Sequence, residues 1–462
     1  MLRLDRLPDL GESIGYATSL GKPTVAERLD DAERTGLPLV QPRCGVGGHA
    51  AMRDLLVDLE NHAAPDILTT TIDSHTRLLQ FDSVRRALDV DPSRLNGYPL
   101  VTHGWERGRE LNEAVKAPLQ VRHGSPDGRR LFETAIASGF TSYEGGGIGY
   151  NVPYSKNVEI VESLRTWQQV DRLAGEVTAA GLTIDRELFG TLTAVLMPPS
   201  ICIATTLLEA VLAAAEGVRC ISISYPQGGH LWQDLAALRS IHRLAARYLD
   251  TSPGPSGVRV HTVLHMFMGV FPQERRQAAE LIMYGGLTAA LGGVAKVVNK
   301  TPAEAAGIPT EAENSEGIRL TRLGIARAAG FAVDEEAVAA EMARIEREVQ
   351  DLVDPILEHT DRVRAIGAAF DEGRLDVPFA ASRFLRSAVV PCRDPGGAIR
   401  FADMGNLSFG AGTRRSNDAC LEHRSGTDGT LDRLVKDINY MAGGLDEVAL
   451  ARLAATPGSA AR

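Results

Sequence analysis

Short apolar segments alternate with longer segments of helical periodicity from Leu37 to about residue 302. The short segments are rich in β-branched residues and predict strands, whereas the longer ones predict helices, for example over 129–138 and 231–248. A series of such βα units predicts a parallel sheet covered by helices. Nine segments qualify as strands, namely LPLVQPR, ILTTTID, YPLVTHG, LQVRHG, FTSYEGG, TLTAVLM, CISISYP, VRVHTVLHMF and AKVVNKTP.

A (β/α)8 TIM barrel is the α/β architecture that this alternation favours. Such a barrel closes at eight strands, so one of the nine candidates is expected to lie outside it. We expect an N-terminal helical segment over 1–37, the barrel over 38–365, and a small appended α+β domain with a frayed tail over 366–462. In this last part the letters RDPGGAIRF predict a turn between two short strands.

Composition narrows the functional classes. The formal net charge of −10 argues against a nucleic-acid partner, which would require a basic surface. The longest apolar run, over 201–215, is interrupted by Glu209 and is too short to cross a bilayer. The five cysteines are scattered without a C-x-x-C pair, and the first residues have no apolar signal core. We therefore expect a cytoplasmic protein with no membrane segment and no metal site of its own.

Ionisable residues stand at the ends of the candidate strands. Arg43 closes the first strand, Arg77 follows the second, Arg122 and His123 close LQVRHG, and Glu144 closes FTSYEGG. The C-terminal strand ends of a barrel share one mouth, where active sites are built. Clustered guanidinium groups require an anion, and their planar forks match carboxylates. With Glu144 facing an ammonium group, this set predicts an amino dicarboxylic acid as substrate.

The segment SYEGGGIGYNVPYSKN, residues 142–157, is the richest in glycine near these strand ends. Its glycines let the backbone turn tightly or approach a ligand, and Tyr150 and Tyr154 can direct two phenols at one small space. The alternative is a strand-to-helix loop whose tyrosines only cover the core. The glycine spacing does not give G-x-G-x-x-G, which excludes dinucleotide binding at this loop.

The segment Thr301-Pro302-Ala303-Glu304 has the pattern of a helix capping box, with Glu304 bonding back to the helix start. The preceding Lys300 ends a candidate strand and would face the barrel mouth.

Several blocks, in one order, resemble the large (epsilon) subunit of glutamate mutase, also called methylaspartate mutase. They are QPRCGV, TIDSHTR, LNGYP, QVRHGSPD, SYEGGGIGYNVPYSKN, LHMFMGVFPQE, VVNKTPAEAAGIPT and RDPGGAIRFADMGN. The resemblance implies a (β/α)8 barrel that uses adenosylcobalamin to interconvert L-glutamate and (2S,3S)-3-methylaspartate by a radical mechanism.

The resemblance also implies roles for individual residues. Glu144, Tyr150 and Tyr154 would be catalytic, with Glu144 toward the amino group. Substrate-binding residues would be Arg43, Arg77, Arg122, His123, Glu144, Tyr150 and Tyr154. Cofactor-binding residues would be Gly45, Asn96, Pro153, Phe271, Lys300, Glu304 and Ile308, with Lys300 and Glu304 on the adenosyl ribose.

A partner subunit is implied as well. In this family a D-x-H-x-x-G histidine on a small cobalamin-binding (sigma) subunit is the lower cobalt ligand. Here Asp73-Ser74-His75 begins that motif, but Leu78 occupies the glycine position. The cobalt ligand should therefore come from a sigma subunit, in a heterotetramer built on a dimer of large subunits.

Three alternatives stay open. The same residues could serve a cobalamin-independent lyase or epimerase of an acidic amino acid, with Tyr150 or His123 as the base. They could form a non-catalytic amino-acid-binding subunit. Cys44, Tyr143 and Val270 differ from the residues usual in the family, so a mutase acting on a close glutamate analogue is the third.

Overall fold

The computed structural model describes residues 7–122, 124–252, 257–305, 307–422 and 430–454. Eight parallel strands form one sheet with the spatial order β1-β8-β7-β6-β5-β4-β3-β2. The strands are β1 Leu39–Gln41, β2 Leu68–Thr71, β3 Leu119–Arg122, β4 Ser142–Glu144, β5 Asp185–Leu188, β6 Cys220–Pro226, β7 Arg259–His265 and β8 Lys296–Val298. The first and last strands pair in parallel, with Leu39 opposite Lys296. The expected (β/α)8 barrel is confirmed.

The barrel closes between β1 and β2 without a continuous ladder. Two backbone hydrogen bonds bridge this seam: Asp66 N donates to Val40 O at 3.1 Å, and Thr71 N donates to Cys44 O at 2.9 Å. The Asp66 carboxylate adds a third contact, accepting from Val40 N at 2.9 Å. The seam is therefore held at a few points, whereas the other strands pair along their length.

Helices cover the outside of the barrel and form most of the chain before β1 and after β8. They are α1 Leu10–Ser19, α2 Val25–Thr35, α3 His49–Ala63, α4 Ser74–Arg77, α5 Phe81–Val90, α6 Leu100–His103, α7 Trp105–Glu113, α8 Arg129–Ala137, α9 Ile160–Ala179, α10 Pro199–Ala215, α11 Leu231–Tyr248, α12 Arg275–Gly292, α13 Glu311–Ala326, α14 Glu335–Leu357, α15 Arg362–Glu372, α16 Ala411–Leu421, α17 Thr430–Ile438 and α18 Glu447–Ala454. A short 3-10 helix occupies Pro92–Arg94. No helix of the described residues is long and apolar enough to cross a membrane.

Two of the nine expected strands are wrong, and one strand was not expected. YPLVTHG forms the short helix α6, with Pro99 as its N-cap. TLTAVLM lies in an irregular segment where Leu192, Ala194 and Leu196 have φ angles of 50°, 57° and 49°. These left-handed conformations are incompatible with a strand. The missing fifth strand is β5, whose letters DREL contain three charged residues that are all fully buried.

The helices before β1 close the amino end of the barrel. Both begin with a side-chain cap, Asp9 on α1 and Thr24 on α2, and the latter forms a complete capping box with Glu27. One face of α2 packs on residues that begin the neighbouring strands, in an apolar cluster of Val25, Leu29, Ala32, Leu39, Ile67 and Ala295. The active sites of (β/α)8 barrels lie at the opposite end, where the strands reach their carboxyl ends.

The C-terminal part packs on the outer helices. Helix α14 lies against α10 and α11, and α18 lies against α12. The predicted turn at Asp394 joins an antiparallel hairpin of β9 Val390–Arg393 and β10 Ile399–Asp403. The expected boundary between 365 and 366 would divide α15. We propose that the appended domain begins after that helix.

Candidate functional site

The expected ionisable residues lie at the carboxyl ends of the strands. Arg122 is the last residue of β3 and Glu144 the last of β4, and they form a fully buried ion pair at 2.8 Å. Tyr150, on the loop after β4, donates a hydrogen bond to Glu144 Oε1. Its ring stacks against that of Tyr154, with centroids 5.7 Å apart. His123 lies outside the described residues, so its side chain is not placed.

Burial raises the pKa of Tyr154, and the charges of Arg43, Arg77 and Arg122 all act against this, which places the three arginines around one phenol. Arg77 lines a cavity of about 190 Å³ together with Tyr150 and Tyr154. Arg43 follows β1 and lies 3.5 Å from the Glu304 carboxylate. The structure therefore brings the three arginines to the barrel mouth near Glu144, as the strand ends predicted.

Several polar atoms of this cluster are buried without a hydrogen-bond partner among the described residues. They are Nε of Arg43, Nε of Arg77, Nε and Nη1 of Arg122, and Oε2 of Glu144. The Arg122–Glu144 contact at 2.8 Å is thus an ion pair whose angle does not make a hydrogen bond. Buried donors of this kind are costly unless a ligand satisfies them. The cluster offers donors to anionic groups and one acceptor to a cationic group.

The ionisation of Glu144 reflects its burial. Removal from water raises the pKa of Glu144, while the Arg122 guanidinium and the Tyr150 hydroxyl act in the opposite direction. Burial and the Glu144 charge raise the pKa of Tyr150 well above its ordinary value, so this phenol stays protonated as a donor. A bound ammonium group near Glu144 would favour the carboxylate form further.

A second layer of charged residues lies inside the barrel, below Glu144. Glu187 on β5 accepts from Lys296 Nζ at 2.5 Å and pairs with His265 Nε2 at 3.0 Å. Burial lowers the pKa of His265 to about 3 despite this contact, so the imidazole is neutral and Nε2 carries the hydrogen. Although burial alone would raise it, Lys296 and His265 hold the pKa of Glu187 well below its usual value.

Sequence reasoning missed these three residues. Glu187 belongs to the unexpected strand β5, while Lys296 and His265 lie inside strands that were predicted from their apolar neighbours. The available signal was a charged residue at an inward position of a strand, which needs a partner of opposite charge within the barrel.

Ligand atoms of Glu144, Glu187 and His265 lie within 4.8 Å of one another, close enough to hold a metal ion. Arg122 and Lys296 already neutralise the two carboxylates. Their positive charges would repel a further cation, and we do not assign a metal here.

The predicted capping box at Thr301–Glu304 is wrong. Residues 302–305 form turns, and the next helix, α13, begins at Glu311 behind a capping box of Thr310 and Glu313. The Glu304 carboxylate instead accepts from Lys300 Nζ. Burial and the nearby Arg43 charge lower the pKa of Lys300 to about 7. Although burial acts in the other direction, Lys300 and Arg43 lower the pKa of Glu304.

Four of the expected cofactor residues line one cavity of about 220 Å³ beside Arg43, namely Gly45, Asn96, Glu304 and Ile308. Lys300 joins them through its bond to Glu304. Pro153 and Phe271 are buried and are not among the lining residues of this cavity. The structure thus gathers five of the seven.

The incomplete D-x-H-x-x-G pattern has a structural role in this chain. The Asp73 carboxylate caps α4 by accepting from His75 N and Thr76 N, and His75 Nδ1 contacts Gln80 Oε1 at 3.0 Å. His75 is therefore engaged within its own turn.

Comparison with known proteins identifies the family. Residues 22–444 match the family model described as "Methylaspartate mutase E chain (MutE)". The chain belongs to this family. As a member of this family it is an enzyme subunit of the mutase type, and mutases are isomerases.

Curated relatives named glutamate mutase epsilon subunit agree with this assignment. The protein of Desulfitobacterium hafniense is 42% identical over 410 residues, covering 87% of this chain and 84% of that protein. The protein of Haloarcula marismortui is 40% identical over 457 residues, covering 97% and 91%. The protein of Escherichia coli O157:H7 is 38% identical over 422 residues, covering 89% and 87%. A subunit name of this kind indicates a complex with at least one other chain.

Proposed function

We propose that this mutase subunit interconverts L-glutamate and (2S,3S)-3-methylaspartate with adenosylcobalamin. The observation that carries the proposal is the buried pair of Arg122 and Glu144 with its unsatisfied atoms. Two donors of Arg122 and one acceptor of Glu144 have no hydrogen-bond partner among the described residues, although both side chains are at most 1% exposed. An amino dicarboxylate supplies the missing acceptors and the missing donor in one molecule.

The arginines would bind the two carboxylates. Guanidinium groups suit this role because their planar donors match carboxylate geometry. Arg43 and Arg77 each retain a buried unpartnered Nε. Glu144 would accept from the substrate ammonium, with Tyr150 holding the carboxylate in place through its hydrogen bond. His123 and Tyr154 would complete the substrate site.

The cavity beside Arg43 has the chemistry to hold a hydroxylated sugar. Three further buried polar atoms of its lining residues lack a hydrogen-bond partner among the described residues: Thr71 Oγ1, Asn299 Oδ1 and Thr301 Oγ1. Glu304 adds a carboxylate that is 26% exposed. We therefore assign the adenosyl ribose to Lys300 and Glu304, and further cofactor contacts to Gly45, Asn96, Pro153, Phe271 and Ile308. When bound, adenosylcobalamin supplies the radical chemistry of the carbon-skeleton rearrangement.

The chain's own residues would position the substrate and exclude water. Arg122, Glu144 and Tyr150 are almost fully buried, so the reacting carbons would be shielded from solvent. The arginine contacts would hold both carboxylates, and hence the carbon chain that joins them, in a fixed orientation.

A small cobalamin-binding sigma subunit is the proposed partner. Large apolar side chains are exposed after several strands, on the face that carries the mouth: Leu78, Leu79, Val270 and Ile308. Large apolar side chains that are exposed together on one face are typical of a surface that binds another protein. Asp73 and His75 are committed to α4 and its following turn, which supports a cobalt ligand from the partner. We also propose that two large subunits associate in the complete enzyme.

Reconstitution tests the proposal. The chain should produce methylaspartate from L-glutamate only with both adenosylcobalamin and a sigma subunit bearing D-x-H-x-x-G, measured by proton NMR of the products. The chain alone should be inactive. Conversion of glutamate without cobalamin would contradict the proposal and favour a lyase or epimerase. Binding of glutamate without any turnover would favour a non-catalytic subunit. A close glutamate analogue that turns over faster than glutamate would identify it as the substrate.

A further inference from the structure

Helix α10 carries one carboxyl group within an almost entirely apolar buried sequence. Residues 199–213 of this helix are all buried, and Glu209 is their one charged residue at 4% exposed. It is the residue that interrupts the apolar run 201–215. A buried carboxyl group costs free energy unless it is uncharged or hydrogen-bonded, so its position needs a reason.

Glu209 faces the backbone of the glycine-rich loop. Its Oε1 accepts from Ile148 N at 2.6 Å and from Gly149 N at 3.4 Å. The contact is close, because a Cβ atom added to Gly146 would lie 2.3 Å from Oε1. Glycine at 146 therefore lets the carboxyl reach these two amides.

Arg186 on β5 binds the preceding part of the same backbone. It donates to Tyr143 O at 2.6 Å and to Gly145 O at 3.3 Å, and its Nε pairs with Asp171 on α9 at 2.8 Å. The arginine thus binds carbonyl groups on one side of the loop, and Glu209 binds amide groups on the other. Together they fix the backbone from 143 to 149.

The fixed segment joins two residues of the proposed substrate site. Glu144 lies at its beginning and Tyr150 immediately follows its end, and the two side chains are hydrogen-bonded. A shift of the 146–149 backbone would separate the phenol from the carboxylate. Glu209 belongs to a helix outside the barrel, so its effect would pass through the loop.

We propose that Glu209 is a positioning residue that holds the loop so that Tyr150 and Glu144 receive the substrate ammonium group. This inference rests on the proposed function for its substrate. It adds a residue outside the barrel to those that determine substrate affinity.

The groups around Glu209 explain its uncharged state. Burial raises the pKa of Glu209 to about 8, and Asp171 acts in the same direction, whereas the two loop amides and Arg186 act against it. Its Oε2 is buried without a partner among the described residues, which an uncharged carboxyl tolerates better than a carboxylate. Above about pH 8 the carboxylate forms, and its charge would be buried beside Asp171. We therefore expect the contact between Glu209 and the loop amides to weaken at that pH.

Two substitutions in the reconstituted complex test the proposal. Glu209→Gln keeps an acceptor for Ile148 N, so the KM for L-glutamate at neutral pH should stay within about 3-fold of the wild-type value. Glu209→Leu leaves the amides of Ile148 and Gly149 unpaired and should raise KM by about 10-fold or more, with a smaller change in kcat. Equal KM values in the two variants would overturn the proposal.

The pH profile separates positioning from a general structural role. In the wild type, KM should rise as Glu209 ionises near pH 8, and Glu209→Gln should lack this rise because an amide does not ionise. Glu348→Gln is the matched control, since Glu348 on α14 is also a buried carboxyl whose pKa is raised, to about 7. The control should keep the wild-type profile. An identical profile in Glu209→Gln would contradict the proposal.

Hydrogen exchange supplies a readout that does not depend on turnover. In the isolated chain, amides 145–150 should exchange faster in Glu209→Leu than in Glu209→Gln or the wild type. Unchanged exchange in the leucine variant would overturn the positioning role. Absence of turnover by the wild-type complex, with the exchange difference present, would instead count against the proposed reaction alone. If the leucine variant does not fold, the pH profile of the glutamine variant decides.

Discussion

The ion pair of Lys296 and Glu187 gives a prediction that depends only on the fold. Both side chains are 0% exposed and their charged atoms are 2.5 Å apart. At an effective dielectric constant of about 20, two charges at this distance attract by about 7 kcal/mol, and the cost of removing them from water offsets much of this. Lys296→Met leaves Glu187 buried without its main partner. We expect the free energy of unfolding to fall by about 3–5 kcal/mol.

A double variant distinguishes the charge effect from a packing effect. Glu187→Gln/Lys296→Met removes both charges and keeps an acceptor for His265, while its amide group loses the acceptor that Gln120 Nε2 used, so it should recover part of the loss and be more stable than Lys296→Met alone. Urea unfolding of the isolated chain measures all three proteins, with the exposed Lys116→Met as the control that should change stability by less than about 0.5 kcal/mol. A single variant as stable as the wild type, or a double variant no better than the single, would refute the reasoning.

The acid side of the stability profile should change in the same experiment. The pKa of Glu187 in the folded chain lies well below its ordinary value of 4.5. The ionised Glu187 therefore contributes to the free energy of unfolding above pH 4.5, and this contribution is lost as the pH falls through the lower pKa of the folded chain. Lys296→Met raises the folded pKa, so the variant should lose less stability than the wild type on acidification below about pH 5.

The proposed site leads to three further predictions. Arg77→Lys keeps the charge but loses the planar donors, so kcat/KM for glutamate should fall by about 10- to 100-fold while the free energy of unfolding stays the same. The exposed control Arg94→Lys should keep normal kinetics. Near-normal turnover of Arg77→Lys would remove that residue from the substrate site. Glu304→Gln should weaken adenosylcobalamin binding in the reconstituted complex, and unchanged affinity in equilibrium dialysis would contradict its assignment to the ribose. Because Lys300 has a pKa of about 7, its ion pair with Glu304 is present at lower pH and is lost above that value, so the cofactor dissociation constant should rise between about pH 6 and 8. A constant value over this interval would exclude a role for that ion pair in binding.

The fold was predictable because most of the segments that form barrel strands contain a run of apolar residues and are followed in the sequence by an amphipathic helix. The errors come from the polar interior. Asp185 accepts from Ser142 Oγ at 2.6 Å and from Ser222 Oγ at 2.7 Å, and Glu187 accepts from Gln120 Nε2 at 2.7 Å, so the two carboxylates of β5 find their partners on other strands. No local pattern contains that information. TLTAVLM looked more like a strand because its own residues are apolar, although its backbone is irregular.

The candidate site was predictable where the chemistry follows directly after a strand, as for Arg43, Arg122 and Glu144. It was not predictable where a residue acts through a distant segment. Glu209 lies on a helix and binds a loop about 60 residues earlier in the chain. Glu304 looked like a local cap, and only the packed barrel shows that Lys300 and Arg43 are its partners.

The closure of the barrel has a consequence for how the chain reaches its native state. The only continuous partner of β1 in the described sheet is β8, and the β1–β2 seam holds at isolated points. Contacts between segments so far apart in sequence form late in folding, because the chain between them must first be ordered. During synthesis β1 would therefore wait, without its ladder, until residues 296–298 have left the ribosome. Arg43, immediately after β1, would join the other arginines only at that point, so a nascent chain would gain its affinity for the substrate in the final step of barrel closure.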